Sequence, residues 1–230
     1  MKKLLAILCA IMMIPMALAE AACPICGGTS DLCLTDEYGA VYCSGMLVSY
    51  PMEIEQTAAH YTVREGTRII GEGAFDNQVI RSVALPDSVV MIGECAFADC
   101  ISLEFVKLPD SLLIIGDHAF RGCAALRNVN DMELPSGLVV LGSGAFANCR
   151  SLYELDVPST VRFFGDEVFA GAALTDLYLY STRFVYGKNV LPEHAVVIHM
   201  PGEAPAGVIP DFMAAYPQAV LRLDLAEEEW

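Results

Sequence analysis

The side chains of this sequence with the widest chemical reach are its cysteines, nine in all. Cys9 falls in the apolar run near the N-terminus, and four others crowd residues 23–43. Cys23-Pro24-Ile25-Cys26 is a Cys-x-x-Cys motif, the spacing that lets two thiolates share one tetrahedral metal ion and so open a zinc ribbon. Cys33 and Cys43 do not complete that pattern, because nine residues separate them. An even number of cysteines in a segment that carries the marks of export fits two disulfides among Cys23, Cys26, Cys33 and Cys43 better. Zinc and a redox dithiol stay open as alternatives, and spacing does not choose among the possible pairings.

The mid-chain cysteines are Cys95, Cys100, Cys123 and Cys149. The last three fall at one position of a recurring unit. They are expected to form a column of small buried side chains, since a free cysteine packs as a small hydrophobe. Stacked thiols could also approach disulfide distance. Cys95 stands where two other copies of the unit have glycine and reads as a tolerated small residue.

Other reactive constellations are missing from the sequence. His60, His118, His194 and His199 form no His-Glu-x-x-His pattern. Ser143 lies between two glycines but lacks the order of a nucleophile elbow. There is no phosphate loop and no dinucleotide fingerprint. The many carboxylates occupy slots expected to face solvent. The reading is therefore of a protein without catalysis and without a cofactor. An enzyme site in a groove, or a zinc-binding accessory domain built on the N-terminal cysteines, are the alternatives.

Charge narrows the partners. Lys and Arg number 13 against 29 Asp and Glu, a formal net charge of −16. Nucleic acid and anionic lipid both require the opposite sign. At the N-terminus, Lys2 and Lys3 precede an unbroken apolar run from Leu4 to Ile14, and Ala17-Leu18-Ala19 offers small residues for a peptidase. That is the pattern of a secretory signal peptide over residues 1–19, with secretion or cell-surface display as the consequence and no stable membrane span after cleavage.

What positions all these residues is a repeat. Ile70-Gly71-Glu72-Gly73-Ala74-Phe75 recurs from Ile92, Ile115, Leu141 and Phe164, with Phe-to-Phe spacings of 22, 23, 26 and 23. A second element alternates with it: Leu103-Glu104-Phe105-Val106-Lys107-Leu108-Pro109 and its equivalents from Ile80, Leu152 and Leu174. The copy from Leu126 carries about three extra residues before Leu134-Pro135. Alternating apolar residues over a short run predict a strand with one buried face, and proline then ends it. Glycine is expected to permit a tight turn. Ala-Phe-x-x-Cys is expected to form a short helical turn that places Phe and Cys on one side. One unit cannot bury its apolar side alone, whereas stacked units bury a continuous core with a column of Phe inside.

The unit I-G-x-x-A-F-x-x-C-x-x-L-x-x-V-x-L-P resembles the BspA-like leucine-rich repeat of exported and surface proteins. The resemblance covers roughly residues 60 to 200. It implies an α/β repeat fold: a leucine-rich-repeat solenoid of about five 22–26-residue repeats with short strands and short helical turns, capped at both ends. The expected organisation is a signal peptide (1–19), a Cys-rich segment (20–45), a capping hairpin (46–66), the solenoid (67–196) and a C-terminal cap (197–230). Adhesion or host contact is what the resemblance implies for some members.

If the Leu and Val of L-x-x-V-x-L point inward, the residues flanking Val point out. One outward row is then Ser82, Phe105, Asn128, Glu154 and Asp176. The next is Ala84, Lys107, Asn130, Asp156 and Tyr178, with Tyr180 beside it. The candidate binding residues are Phe105, Lys107, Glu154, Asp156, Asp176, Tyr178 and Tyr180. The face turns acidic and aromatic toward the C-terminus, which suits a protein or peptide ligand with a basic patch.

Overall fold

The computed structural model describes residues 33–50, 60–127, 134–201 and 208–225. The expected signal peptide lies outside them, as do Cys23, Cys26, Asn128 and Asn130. In chain order the first strands are β1 (Cys33–Thr35), β2 (Val41–Cys43), β3 (Met46–Ser49), β4 (His60–Thr62), β5 (Ile69–Ile70) and β6 (Ser82–Ala84). Then come β7 (Met91–Ile92), β8 (Phe105–Lys107), β9 (Ile114–Ile115), β10 (Val140–Leu141), β11 (Glu154–Val157) and β12 (Phe163–Phe164). Strands β13 (Asp176–Leu179), β14 (Val185–Tyr186) and β15 (Val197–Pro201) precede helix α1 (Val208–Ala215), and β16 (Val220–Leu225) follows it.

These strands make a leucine-rich-repeat solenoid. One sheet has nine strands in the order β1-β2-β3-β5-β7-β9-β10-β12-β14. From β3 onward every pairing in it is parallel, which counts about seven turns of the solenoid. The second ladder comes from the L-x-x-V-x-L elements and falls into two sheets, β4-β6-β8 and β11-β13-β15-β16.

The count exceeds the five copies read from the sequence because both ends depart from the consensus. Tyr50 stacks on Phe75 with ring centroids 5.1 Å apart, so it holds the aromatic slot of the first turn. At the other end, Tyr186-Gly187-Lys188-Asn189-Val190-Leu191 keeps the frame with Leu191 where the others have Phe. At the N-terminal end the antiparallel partner of Met46–Ser49 is β2, while His60–Thr62 runs parallel to β6.

The core is the expected column. Phe75, Phe97, Phe120, Phe146 and Phe169 are all fully buried. Their rings stack at 4.7, 5.1, 5.4 and 6.0 Å, with interplanar angles of 12° or less. The expected short helical turns around them are not formed; α1 is the one helix among the described residues. The cause is where the backbone donors go. Phe97 N–H donates to Ala119 O at 2.8 Å, Phe120 to Ala145 at 2.8 Å and Phe146 to Val168 at 2.9 Å. Alternate donors of each turn thus pair with the next repeat, while those between them close single turns, such as Ala98 N–H to Cys95 O at 2.9 Å, so the run of i→i−4 bonds that a helix requires is not formed. Left-handed residues also interrupt it, such as Cys95 at φ 53° and Asp99 at φ 55°.

The repeated glycine after Ile also has a different reason from the one expected. At Gly93, Gly116, Gly142 and Gly165 a methyl group would lie 2.3–3.0 Å from backbone atoms of the preceding turn. These glycines allow close approach between stacked turns. Turn freedom belongs to another slot, that of Gly73 (φ 60°) and Gly144 (φ 59°).

Candidate functional site

The outward face of β11, β13, β15 and β16 is built by register. Glu154, Asp176, Val197 and Val220 stand in one row across the four strands. Asp156, Tyr178, His199 and Arg222 stand in the next. Leu155, Leu177 and Ile198, the residues between the rows, are buried at 0–1% exposure, which fixes the alternation. Glu154 is exposed and Asp156, Asp176 and Tyr178 are half-buried.

Parallel strands lie about 4.8 Å apart. The structure therefore brings Glu154, Asp156, Asp176 and Tyr178 together on adjacent strands. Tyr180 follows directly after β13, half-buried, its backbone N–H donating to Val157 O at 3.1 Å. Phe105 and Lys107 occupy equivalent slots on β8, beside Ser82 and Ala84, but in the separate three-stranded sheet.

Two members of this face were not singled out in the sequence. The Tyr178 and His199 rings stack 4.3 Å apart at 11°. His199 Nε2 lies 3.1 Å from Asp176 Oδ1, and Thr175 Oγ1 donates to Asp176 Oδ2 at 2.9 Å. The hydrogen bond from His199 is the main cause that holds the Asp176 carboxyl below the usual range, with Thr175 and the nearby Arg222 adding to it against partial burial. Asp176 is therefore a carboxylate at neutral pH, oriented by its neighbours. His199 and Arg222 were legible in principle, because Val197-Ile198-His199-Met200 keeps the same alternation.

The cysteines divide clearly. Cys100, Cys123 and Cys149 are fully buried. Each Sγ donates to the carbonyl of the Phe one turn back: Phe75 O at 2.9 Å, Phe97 O at 3.0 Å and Phe120 O at 3.2 Å. Burial pushes the Cys100 and Cys149 thiols up to about 12, and Cys123 well above its ordinary value. A nucleophile needs access and a thiolate, and these have neither. They are structural. Cys43 is a buried free thiol on β2, in register with Cys33 on β1. Of the five thiols at Cys43, Cys95, Cys100, Cys123 and Cys149, only the half-exposed Cys95 is expected to react with a maleimide in the native protein. Peptide mapping before and after urea would check this, and rapid native labelling of Cys123 would contradict the packing described.

A cavity of about 790 Å³ opens near the C-terminal end, lined by Glu167, Gly171, Asn189, His194, Tyr216 and Gln218 among others. Its hydrogen-bonding groups hold the chain together. The Tyr216 hydroxyl accepts from Val190 N–H at 2.7 Å, and His194 Nε2 lies 2.7 Å from Leu174 O. Among the described residues no group of three or more His, Cys, Asp or Glu side chains is placed to hold a metal ion.

A family model described as BspA type leucine-rich repeat region matches residues 68–191 in six copies. A comparison with curated proteins finds no match. Among solved structures, the chain is similar to the pneumococcal vaccine antigen PcpA: 21% identity, 82% of this chain and 47% of that one, TM-score 0.65. It is similar to a leucine-rich repeat protein of T. pallidum: 22% identity, 86% of this chain and 99% of that one, TM-score 0.54. A leucine-rich cell surface protein from Faecalibacterium prausnitzii A2-165 is 27% identical over 64% of this chain and 37% of that one, with a TM-score of 0.54. The chain spans about half the length of the pneumococcal structure.

Proposed function

Because the chain belongs to the BspA-type leucine-rich repeat family, we propose that it is a secreted or cell-surface binding protein whose C-terminal strand face takes a protein or peptide ligand. The observation that carries this reading is the register that sets Glu154, Asp156, Asp176, Tyr178 and His199 side by side on three strands. Such a face offers fixed carboxylates beside an aromatic platform, and a tyrosine gives contact area and a hydroxyl at modest entropic cost. The carboxylates select a ligand with a basic patch, and they act mainly on the rate of encounter. Export rests on the N-terminal pattern of Lys2, Lys3, the run from Leu4 to Ile14 and Ala19. The surface role of one similar protein, which is named as a cell surface protein, supports the same location. Phe105 and Lys107, on the other sheet, would serve as an outlying contact of a long ligand. The protein is read as a binding module without a catalytic step, supported by structural roles for its buried thiols and for His194.

The test begins with a pull-down by the mature protein from its native surroundings, followed by kinetics with the captured ligand. Replacing Glu154, Asp156 and Asp176 by Ala and Tyr178 by Ser together is expected to lower the on-rate and to flatten its dependence on salt. Asp176 and Tyr178 also hold the buried His199, so the urea midpoint is expected to fall somewhat, and circular dichroism checks that the fold is intact. Unchanged affinity with an intact fold would move the site away from this face.

A further inference from the structure

The nine-stranded sheet carries a second feature that the proposed function does not use. Its outward slots, read by register along the stack, are Met46, Ile69, Met91, Ile114, Val140, Phe163 and Val185. Each faces away from a buried partner one residue on: Leu47, Ile70, Ile92, Ile115, Leu141, Phe164 and the half-buried Tyr186. All seven are apolar, and all are at least partly exposed, Phe163 at 36% and Val185 at 64%. Val90, Leu113 and Val139 precede three of them, joined in the same ladder and half-buried too. An outward sheet face normally alternates to polar residues, so seven apolar rungs in line are not required by the fold. At about 4.8 Å per rung the stripe is about 29 Å long, the length of an α-helix of about 19 residues.

Its rims are charged in a matching rhythm. Three residues after the stripe positions come Glu72, Glu94, Asp117 and Asp166; four residues before them come Glu65, Asp87 and Asp110. Around the N-terminal rungs Ile69, Met91 and Ile114, six carboxylates thus accompany three apolar side chains, on both sides. Around Phe163 and Val185 the rim is mixed, with Arg162, Arg183 and Lys188 exposed beside Asp166 and Glu167, whereas the six carboxylates of the N-terminal rungs outnumber the exposed Arg64 and Arg68 there. A carboxylate rim and a chain of net charge −16 repel a second copy and an anionic bilayer.

We propose that this stripe is a second docking surface, for a cationic amphipathic polypeptide segment that lies along the solenoid with its apolar face on Ile69, Met91, Ile114 and Val140. Lysine or arginine on both flanks of that segment meets the Glu65, Asp87 and Asp110 rim on one side and the Glu72, Glu94 and Asp117 rim on the other. The apolar rungs supply the affinity, and the two rims set orientation by placing the basic end over the N-terminal half.

The probe is a synthetic 18-residue leucine–lysine amphipathic helix, with a scrambled sequence of the same charge as control, followed by fluorescence anisotropy against the whole protein. Binding of the amphipathic peptide above the scrambled one is expected. Met91→Thr with Ile114→Thr, which keeps strand-forming residues on an outward face, is expected to weaken it about tenfold. Glu72→Lys with Glu94→Lys is expected to do the same through charge alone, without touching the apolar rungs. The Glu154, Asp156, Asp176 and Tyr178 variant is expected to leave peptide binding unchanged, which separates this surface from the strand face described above. Equal affinity for the scrambled peptide, or equal affinity of the Met91 and Ile114 variant, would overturn the proposal in favour of diffuse attraction to an acidic protein. Concentration-dependent dimers in sedimentation equilibrium, abolished by the same variant, would overturn it by assigning the stripe to a second copy. Stripe-dependent binding to phosphatidylglycerol vesicles would overturn it by assigning the stripe to lipid.

Discussion

Phe120→Ala is expected to lower the unfolding free energy by about 3–5 kcal/mol, the range for a buried aromatic truncated to a methyl. Phe120 is fully buried and sits between two other rings, 5.1 Å from Phe97 and 5.4 Å from Phe146, each within 7° of parallel. Removing it empties one rung of a column whose neighbours are fixed by backbone ladders, so the space cannot close without displacing Ala119 and Ala145. Both interfaces of the turn lose contacts at once. In a solenoid, where each turn touches only its neighbours, that loss is felt on both sides of the break. The thiol of Cys149 donates to the Phe120 carbonyl, and Phe120 N–H donates to Ala145 O. These backbone links stay, which is why the turn is expected to weaken and not to unravel locally. Phe163→Ala is the internal control. It removes a ring of the same size from the outward face, 36% exposed, and is expected to cost about 1 kcal/mol or less. Urea unfolding of both variants measures the contrast. Similar midpoints would mean that the column does not organise the core.

The central turns were legible in the sequence because their signals reinforce one another. Gly, Ala and Phe at fixed offsets mark four copies, three of them with Cys three residues on, and Phe164-Gly165-Asp166-Glu167-Val168-Phe169 marks a fifth. The first and seventh frames were missed because Tyr50 and Leu191 fill the aromatic slot with other side chains, though each keeps its place in the stack. The acidic rows of the strand face were also legible, since strand alternation places Glu154 and Asp156 outward from one buried Leu155. His199 and Arg222 were harder. They come from strands that flank α1 and lack the L-x-x-V-x-L frame, and only the parallel register joins them to Tyr178. The apolar stripe was hidden for a related reason. A two-residue strand such as Met91–Ile92 is too short to show alternation, so two adjacent apolar residues read as one buried pair. The direction of each backbone donor, which decides between a helical turn and an inter-repeat ladder, is set by a neighbour more than twenty residues away. No local pattern reports it.

The same distance in sequence conceals the role of the glycines, and Gly142→Ala is the experiment that exposes it. The substitution is expected to cost about 3 kcal/mol or more, at or above the upper end of overpacking by a single methyl. A methyl group on Gly142 would lie 2.5 Å from Asp117 N and 2.5 Å from Gly116 C, both backbone atoms of the preceding turn. A flexible side chain could swing aside, but a backbone held in a ladder cannot. Gly142 N–H donates to Ile115 O at 2.8 Å, and relieving the clash means lengthening that bond and parting the two turns. The separation would be transmitted to the stacked Phe120 and Phe146 rings. Gly73→Ala makes the comparison decisive. Gly73 has φ 60°, and a methyl there would meet only Asp76 Cβ at 3.8 Å, so its cost is that of one left-handed residue, about 1–2 kcal/mol. Cys95, His118 and Glu167 already tolerate that conformation at the equivalent slot. Close approach therefore predicts that Gly142→Ala is the more damaging of the two. A requirement for turn freedom predicts the reverse, because only Gly73 has a positive φ. Chemical denaturation of the two single variants reads the order directly, and a larger loss at Gly73 would return the Ile-Gly glycines to the role of turn formers.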